Sequence, residues 1–345
     1  MVLNKNKIKI IMITLLIIQS FIIIVVKSDK LSLLCIGDWG GESDEIPSNE
    51  AQGAASAGMS KVSKEIDAQG VLLLGDNFYD RGVEKNTSIR FKETFEEVYP
   101  IEAFEKLPFY VIAGNHDHAG NVQAQIDYHD ASARWHFPSL YYKLPFEYVS
   151  SSGVKRTVDF IMIDTVNLCG FCEDEYIGCE LPGPFDLEAA GNQWEWLESQ
   201  LQTSTADFLW VGGHYPIYSA GGDGTTPLLV ERLLPLMKKY NAHYIGGHDH
   251  MHEHIEYEGV NMVITGPGRF CCYNTTHIKT VPDGAIKYLV SGSNGQGPSI
   301  GKKPSTKMLS GFSSLVFDDD VQLKLYKEDG ETIYTAPPIS HRAVV

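Results

Sequence analysis

One pattern recurs six times along the 345-residue chain and constrains its fold more than any other feature of the sequence. Each time, a short apolar run rich in β-forming residues is followed by one or two small residues and then by a side chain that can bind a metal ion. The runs and their polar ends are LSLLCIGD with Asp38, VLLLGD with Asp76, FYVIAGNHD with Asn115 and His116, VDFIMID with Asp164, FLWVGGH with His214, and HYIGGHDH with His248 and His250. The pattern predicts buried strands with polar side chains at their ends.

Helix-like stretches separate these strands, at residues 50–69, 88–98, 192–203 and 227–240. Alternation of strand and helix is typical of βαβ units, whose parallel strands present their carboxyl ends at one edge of the sheet. From about Tyr257 the pattern changes to short strands and loops, which predicts a largely antiparallel second half. Since no linker, repeat or low-complexity tract divides the chain, the sequence predicts a single α/β domain with a polar crevice.

The polar residues at the strand ends indicate a metal site. The candidate ligands are Asp38, Asp76, Asn115, His214, His248 and His250. Oxygen and imidazole donors without a thiolate suit Fe, Mn or Zn in a catalytic site rather than a closed structural zinc site. Two metal ions that share one carboxylate lie about 3.5–4 Å apart and can clamp the attacking and leaving oxygens of a phosphoryl displacement. The donor set therefore predicts hydrolytic chemistry.

Each of these residues also has a simpler interpretation. A single Gly-Asp pair is common in turns, and a single histidine can be a hydrogen-bonded structural residue. The recurrence of the pattern favours the metal site over these alternatives. His252 and His254, in HDHMHEH, exceed what such a site needs and are expected outside the ligand set. For Arg134, a structural ion pair is expected.

The first 28 residues are predicted to be a secretory signal peptide. Lys5, Lys7 and Lys9 precede a nearly uninterrupted apolar run at residues 10–26, and small polar residues follow it. The run is also long enough for an uncleaved membrane anchor, which stays open as an alternative. Residues 29–345 form the predicted domain. This route predicts a secreted or lysosomal/endosomal protein.

Charge and modification sites limit the partners. The formal net charge of −16 at pH 7 disfavours nucleic acid and anionic membranes, because both are bound through clustered Lys and Arg. A membrane is expected as a partner only if the N-terminal segment stays uncleaved.

Asn86 and Asn274 lie in glycosylation sequons. In an oxidising compartment some of the six cysteines should pair, and Cys169, Cys172 and Cys179 lie close enough in sequence to close a small loop.

Five short motifs carry a resemblance to a known family. They are GDWG at 37–40, GDNFY at 75–79, GNHDH at 114–118, GHYP at 213–216 and GHDH at 247–250. In this order they resemble the five motif blocks of purple acid phosphatases, and the chain is most similar to the small, single-domain, tartrate-resistant type 5 members. The resemblance extends between the blocks, through RFKETFEEVY, GNVQAQIDY, RWHFPS and DTVNLCG.

The resemblance implies a metallophosphoesterase αββα sandwich that acts as an acid phosphatase. Phosphate monoesters, of small molecules or phosphoproteins, would be hydrolysed by a monomer with a metal-bound hydroxide at a centre of Fe(III) and a divalent Fe, Zn or Mn. By position in the motifs, Asp38, Tyr79 and His250 would bind Fe(III), Asp76 would bridge, Asn115, His214 and His248 would bind the divalent metal, and His116 would face the substrate. A Tyr79 phenolate on Fe(III) would give the family's purple colour.

The sequence departs from the family at two points. Asp223 stands where many relatives place a second histidine near the leaving group, so the group that protonates the leaving oxygen stays open. No cysteine follows GHYP to pair with Cys169 as in mammalian-type members, so the disulfides must differ. Cys172 and Cys179 could pair and leave Cys169 for another partner, and the connectivity stays open. The acidic segment at residues 169–191 is expected over the crevice, either as a restraint on anionic substrates or as a plain surface loop.

Two other functions are alternatives to an acid phosphatase. One is another dimetal phosphoesterase, such as a phosphodiesterase or protein phosphatase, against which Tyr79 argues because the general metallophosphoesterase pattern lacks that tyrosine. The other is a non-catalytic protein that keeps the fold, which the intact set of candidate ligands disfavours.

Overall fold

The strands form two mixed β-sheets that pack face to face. The computed structural model describes residues 23–25, 30–104, 107–172, 180–290 and 308–342. The strands in these segments are β1 Ile24–Val25, β2 Leu31–Ile36, β3 Gly70–Leu74, β4 Phe109–Ile112, β5 Trp135–His136, β6 Tyr142–Val149, β7 Lys155–Met162, β8 Phe208–Gly212, β9 His243–Gly246, β10 His252–Tyr257, β11 Val260–Thr265, β12 Ile286–Leu289, β13 Gly311–Phe317, β14 Asp320–Lys327, β15 Thr332–Thr335 and β16 Ile339–Ser340.

Helices connect the strands and cover both outer faces of the sheet pair. The α-helices in the same segments are α1 Glu50–Ile66, α2 Ile101–Phe104, α3 Asn115–His118, α4 Val122–Asp127, α5 Thr165–Cys169, α6 Leu187–Thr203 and α7 Leu234–Tyr240. Two π-helical turns, Phe91–Glu96 and Leu229–Leu233, and two 3₁₀ turns, Tyr128–Asp130 and Ile278–Thr280, complete the helical elements of the described residues.

The strands that carry the recurring polar ends are parallel within each sheet. The first sheet has the order β1-β6-β7-β8-β9-β11-β10-β12, and the second has β15-β14-β13-β2-β3-β4-β5, with β16 paired to β14. Parallel pairing joins β7, β8 and β9 in the first sheet and β2, β3 and β4 in the second. From β10 onward most neighbours are antiparallel, as predicted, although β11 is parallel to β9.

Alternate side chains of the central strands enter two different apolar cores. In β8, Trp210 belongs to the core between the sheets, whereas Val211 belongs to the core beneath α6 and α7. Across the sheets, the ring centroids of Trp210 and Phe160 lie 6.3 and 5.8 Å from that of Phe317. α1 packs on the outer face of the second sheet. The layers thus run helix, sheet, sheet, helix, which confirms the predicted αββα sandwich.

Most predicted helices begin close to their expected positions, and α6 is the exception. It begins at Leu187, well before the predicted residue 192. The cause is a capping interaction, in which the Asp186 carboxylate accepts hydrogen bonds from the backbone N–H groups of Glu188 and Ala189. Asp186 belongs to the segment predicted as an acidic loop, so part of that segment is helical.

The predicted signal segment is described only near its end, since residues 1–22 and 26–29 lie outside the described residues. There, β1 pairs in parallel with β6 at the edge of the first sheet, with Ile24 opposite Phe146. In the described part of the chain, no helix combines the length and the apolar character needed to cross a bilayer. The signal peptide and the alternative anchor stay predictions.

The cysteines do not follow the mammalian-type pairing. Cys35 and Cys169 carry free, buried thiols, and the adjacent Cys271 and Cys272 form a disulfide. Cys172 is disulfide-bonded, and Cys179, one candidate partner, lies outside the described residues. The free thiol of Cys169 corrects the expectation that this cysteine pairs with another partner.

Candidate metal centre

The predicted polar residues converge where the carboxyl ends of the parallel strands of both sheets meet. Asp38 follows β2, Asp76 follows β3, Asn115 begins α3 after β4, His214 follows β8, and His248 and His250 follow β9. Sharp turns direct these side chains across the sheet edge, because Asp38, Asp76 and His248 have left-handed backbone angles with φ of 56°, 53° and 70°. Non-glycine residues rarely adopt this conformation, and it is concentrated at functional sites.

A first group of side chains surrounds the hydroxyl of Tyr79. Its oxygen lies 2.8 Å from Asp76 Oδ2, 3.2 Å from Asp38 Oδ1 and 3.1 Å from His250 Nε2. His250 Nε2 is also 3.6 Å from Asp38 Oδ1. The structure therefore brings together the three residues predicted to bind Fe(III), and Asp76 beside them.

A second group surrounds the other oxygen of Asp76. His214 Nε2 lies 3.4 Å from Asp76 Oδ1 and 3.0 Å from Asn115 Oδ1. Potential ligand atoms of Asp76, His214 and His248 all lie within 4.8 Å of one another. Because the two oxygens of Asp76 face different groups, this carboxylate occupies the position expected of a bridge.

The orientation of His214 leaves one ring nitrogen available to a metal. Its Nδ1 lies 2.8 Å from the carbonyl oxygen of Leu74, which fixes a proton on Nδ1 that this nitrogen donates. The Nε2 atom points toward Asp76 and Asn115, and it would offer its lone pair to a metal ion on losing its proton. The space for this arrangement depends on Gly114, since a Cβ there would lie 2.2 Å from Asp76 Oδ1.

The site has unusual electrostatics, because two carboxylates are buried with histidines as their ion-pair partners. Burial raises the pKa of Asp38 well above its usual value, and the charge of His214 only partly opposes it. Burial also acts on Asp76, but the charge of His214 outweighs it and holds the pKa of Asp76 well below its usual value. Although burial lowers the pKa of His214, Asp76 raises it to about 10.

These features fit a pair of bound cations. Neither Asp38 nor Asp76 forms an ion pair with Lys or Arg in the part of the chain that the structure describes. A buried negative charge without such compensation costs several kcal/mol unless a cation or proton offsets it (order of magnitude). The donor set, its burial and its charge suit metal ions better than a closed structural network.

His116 lies beside the candidate ligands and lines the adjoining cavity. Its backbone N–H donates to Asp76 Oδ1 at 3.1 Å, and its Nδ1 lies 2.6 Å from the carbonyl oxygen of Asp80. The imidazole Nε2 lies 3.7 Å from Asp76 Oδ2. The ring also packs on Tyr79, with centroids 4.1 Å apart. His116 thus lies at the cavity wall, and its substrate-facing role stays a prediction.

His118 and Asp164 form a separate pair. His118 Nε2 lies 2.7 Å from Asp164 Oδ2, and the other oxygen of Asp164 accepts the N–H of Asn167 at the start of α5. Burial lowers the pKa of His118, but the charge of Asp164 outweighs it and raises that pKa. The fourth of the six strand ends therefore carries a structural carboxylate, apart from the two groups around Asp76.

The residues expected outside the ligand set lie elsewhere in the fold. His252 is buried in β10 with Nε2 3.0 Å from the carbonyl oxygen of Tyr326, and His254 contacts the hydroxyl of Tyr334 at 2.9 Å. Both are thus interior rather than surface histidines. Arg134 forms an ion pair with Glu96, which confirms its expected structural role.

A cavity of about 750 Å³ opens beside the site. Its walls include Asp76, Tyr79 and His116, together with residues that the sequence pattern did not indicate. Those additional residues include Arg269, Tyr273, His277, Thr226 and Glu231. Asp223, the residue in place of a second histidine, also lines the cavity.

The acidic segment reaches the same cavity through its described ends. Cys169, Cys172, Glu180 and Pro182 line the cavity, whereas residues 173–179 lie outside the described residues. The predicted glycosylation sites, Asn86 and Asn274, lie outside this segment, and their side chains are exposed to solvent.

The fold and the donor set together define a class of protein. The sequence profile of the calcineurin-like phosphoesterase family matches residues 31–252. Among solved structures, the one described as GAP50, the anchor in the inner membrane complex of Plasmodium, shares the fold with a TM-score of 0.73. It is 23% identical, and the match covers 92% of this chain and 90% of that chain. The class is that of the metallophosphoesterases.

Sequence similarity narrows this class. Tartrate-resistant acid phosphatase type 5 of Oryctolagus cuniculus is 40% identical over 270 residues, which cover 77% of this chain and 82% of that protein. Purple acid phosphatase 7 of Arabidopsis thaliana is 31% identical over 251 residues, which cover 70% of this chain and 71% of that protein. The chain belongs to the purple acid phosphatase family, as its five motifs predicted.

Proposed function

We propose that this chain is an acid phosphatase that hydrolyses phosphate monoesters with Fe(III) and a divalent Fe, Zn or Mn. The observation that carries the proposal is the position of the Tyr79 hydroxyl, between the buried carboxylates of Asp38 and Asp76 and beside His250. Three anionic oxygen donors and one imidazole favour a small, highly charged cation. The same arrangement accounts for a tyrosine that a general dimetal phosphoesterase does not need.

The two contact groups support a division of the ligands. We assign Asp38, Tyr79 and His250 to Fe(III), Asn115, His214 and His248 to the divalent metal, and Asp76 to both. The support for the bridging assignment is that Asp76 Oδ2 lies 2.8 Å from the Tyr79 hydroxyl and Asp76 Oδ1 lies 3.4 Å from His214 Nε2.

When bound, the two ions supply a nucleophilic oxygen at mildly acidic pH and neutralise charge on the phosphoryl group. The chain's own residues position the substrate and hold the ligands. His116, fixed through Nδ1 by the carbonyl oxygen of Asp80, contacts phosphoryl oxygens from the cavity wall. His214 keeps its orientation through the carbonyl oxygen of Leu74.

We assign protonation of the leaving oxygen to Asp223. It lines the cavity and stands at the family position of a second histidine. Its loop is held by the buried carboxylate of Asp249, which accepts the N–H groups of Asp223 and Gly224 at 2.9 and 3.0 Å. A carboxyl group placed in this way can donate a proton in acid.

We further infer that the enzyme is a secreted or lysosomal/endosomal monomer acting on small-molecule or protein phosphomonoesters. Exposure of Asn86 and Asn274 supports passage through the secretory route, since a sequon must be accessible to be glycosylated. The acidic surface supports the absence of nucleic acid among its partners.

One preparation tests the proposal. The full chain is purified without chelators, its metals are quantified, its visible spectrum is recorded, and turnover of an aryl phosphate monoester is compared with that of the matching diester. We expect two metal ions per chain including iron, a visible band, and preference for the monoester in acid. An iron-free, colourless protein that prefers the diester contradicts the proposal and supports a phosphodiesterase instead.

A further inference from the structure

Arg269 contacts Tyr79 through the aromatic ring rather than through the hydroxyl. The guanidinium carbon of Arg269 lies 3.9 Å from the ring centroid. Cation–π contacts extend to about 6 Å, so this one is close. Tyr79 is 2% exposed, which limits screening of the contact by water.

The loop that carries Arg269 is fixed on the site. Arg269 Nη1 donates to the carbonyl oxygen of Gly41 at 3.1 Å, and the Tyr273 N–H donates to the carbonyl oxygen of His250 at 3.1 Å. The rings of Phe270 and Tyr273 pack on the His250 ring, with centroids 4.3 and 4.7 Å away. The loop therefore packs on two of the proposed Fe(III) ligands, Tyr79 and His250, and its position fixes the guanidinium.

The charge of Arg269 has no carboxylate partner among the described residues. The arginine ion pairs in this part of the chain involve Arg90, Arg134 and Arg156. Arg269 Nε is buried without a hydrogen-bond partner, and among the described residues Arg269 is the only Lys or Arg that lines the cavity. Its charge thus acts on the site itself.

We propose that Arg269 is a positioning residue whose charge sets the electron-donor strength of Tyr79 toward its metal ion. The inference rests on the proposed function, because it requires Tyr79 to bind Fe(III). The charge lies over the ring face, whereas the metal would be bound at the phenol oxygen, so the charge stabilises the electrons of the ring more than those of the metal. Transfer of an electron from the ring to Fe(III) then needs more energy.

Two measurable properties follow from this weakening of the donor. The visible band lies at shorter wavelength than it would without Arg269, because the band reports the energy of that electron transfer. The ferric ion is also easier to reduce, since a weaker anionic donor and a nearby positive charge both favour the lower charge state.

The experiment compares charge with shape at position 269 in the metal-loaded full chain. Arg269→Met and Arg269→Gln remove the charge, and Arg269→Lys keeps it without the planar group. Lys279→Met removes an exposed cation that does not line the cavity and controls for net charge. Metal content and circular dichroism check each protein before the band maximum and a reductive titration are measured.

We expect both neutral variants to absorb at longer wavelength and to resist reduction, with Arg269→Lys and Lys279→Met close to wild type. Neutral variants that keep the wild-type wavelength and reducibility overturn the inference, as does an equal shift in Arg269→Lys, which would assign the effect to shape. Loss of iron from both neutral variants also contradicts it, because removing a nearby positive charge should strengthen metal binding. A wild-type protein without a visible band instead contradicts the proposed Fe(III)–Tyr79 pair, on which the inference depends.

Discussion

The phenol oxygen of Tyr79 lies 2.8 Å from Oδ2 of Asp76, and both side chains are shielded from solvent. The two residues belong to one short motif, GDNFY, whose turn places Asp76 in a left-handed conformation. Since Asp76 also approaches His214, this single motif connects both halves of the candidate metal centre.

Replacing Tyr79→Phe tests the assignment of the phenol as a ligand. The change removes one oxygen donor but keeps Asp38, Asp76 and His250, so we expect loss of the visible band with part of the activity retained. The check is a visible spectrum and kcat on the same metal-loaded preparation. A band of unchanged wavelength and intensity would show that Tyr79 is not the source of the colour.

Asp76→Ala and Asn115→Ala separate the bridge from a ligand of one metal. Loss of Asp76 removes the carboxylate that approaches both groups, so we expect kcat to fall by several orders of magnitude and both ions to be held weakly. Loss of Asn115 should release mainly the divalent ion. Metal analysis and turnover of an aryl phosphate give the comparison, and two retained ions with near-normal turnover in Asp76→Ala would refute the shared site.

Asp223→Asn tests the proposed proton donor through the choice of leaving group. General acid catalysis contributes about 100- to 10,000-fold, and poor leaving groups need it most. We therefore expect a large fall in kcat for an alkyl phosphate and a much smaller one for an activated aryl phosphate. Asp283→Asn, on the exposed surface, is the control. Equal losses for both substrates would assign Asp223 a structural role.

Glu253 should make stability depend on pH. It is fully buried, and its Oε1 accepts hydrogen bonds from the Ser219 hydroxyl at 2.9 Å and the Ala220 N–H at 3.1 Å. Burial, and then the charge of Asp249, raise the pKa of Glu253 from 4.5 to about 8. The folded protein keeps a proton that the unfolded chain releases, so this contribution to stability is complete below about pH 4.5 and is lost as pH rises through about 8.

Denaturant unfolding across that pH range checks the sign. Glu253→Gln stays neutral, so its free energy of unfolding should fall less with rising pH than that of the wild type. Glu195→Gln, an exposed change, is the matched control. Parallel curves for wild type and Glu253→Gln would show that Glu253 titrates alike in both states.

If the negative charge of the acidic segment at residues 169–191 acts on the cavity, it should lower kcat/KM for anionic substrates. Changing Glu173, Asp174 and Glu175 to amides should raise kcat/KM at low salt, and the gain should shrink as salt screens the remaining charge. These three residues lie outside the described part of the chain, but Glu180 and Pro182 beside them line the cavity. The control neutralises the exposed Glu195, Asp283 and Asp320. An equal gain in that control would point to net charge alone.

The sequence alone determined where the parallel strands lie, which polar residue follows each of them, and to which family the chain belongs. A buried parallel strand is apolar along its whole length, so a run such as VLLLGD can be located without knowledge of the fold. Because parallel strands share one sheet edge, the approach of Asp38 to Asp76, at the ends of β2 and β3, follows from the same pattern. His214 ends β8 in the other sheet, so its approach to Asp76 required the packing of the two sheets. The resemblance of the five motifs to the family added Tyr79 to the candidate ligands. The hydrophobic pattern of the strands does not indicate this residue.

The tertiary structure alone decided which side chains meet across distant loops. His118, two positions from His116, turns to Asp164, and Arg269 packs on the ring of Tyr79 from a loop far along the chain. The start of α6 at Leu187 is different in kind, because its Asp186 cap is a local interaction within the sequence. Contacts between distant loops, such as those of His118 and Arg269, contribute only about 1 kcal/mol net each. They require no periodic spacing, so they leave no trace in the local sequence and appear only when the sheets bring the loops together.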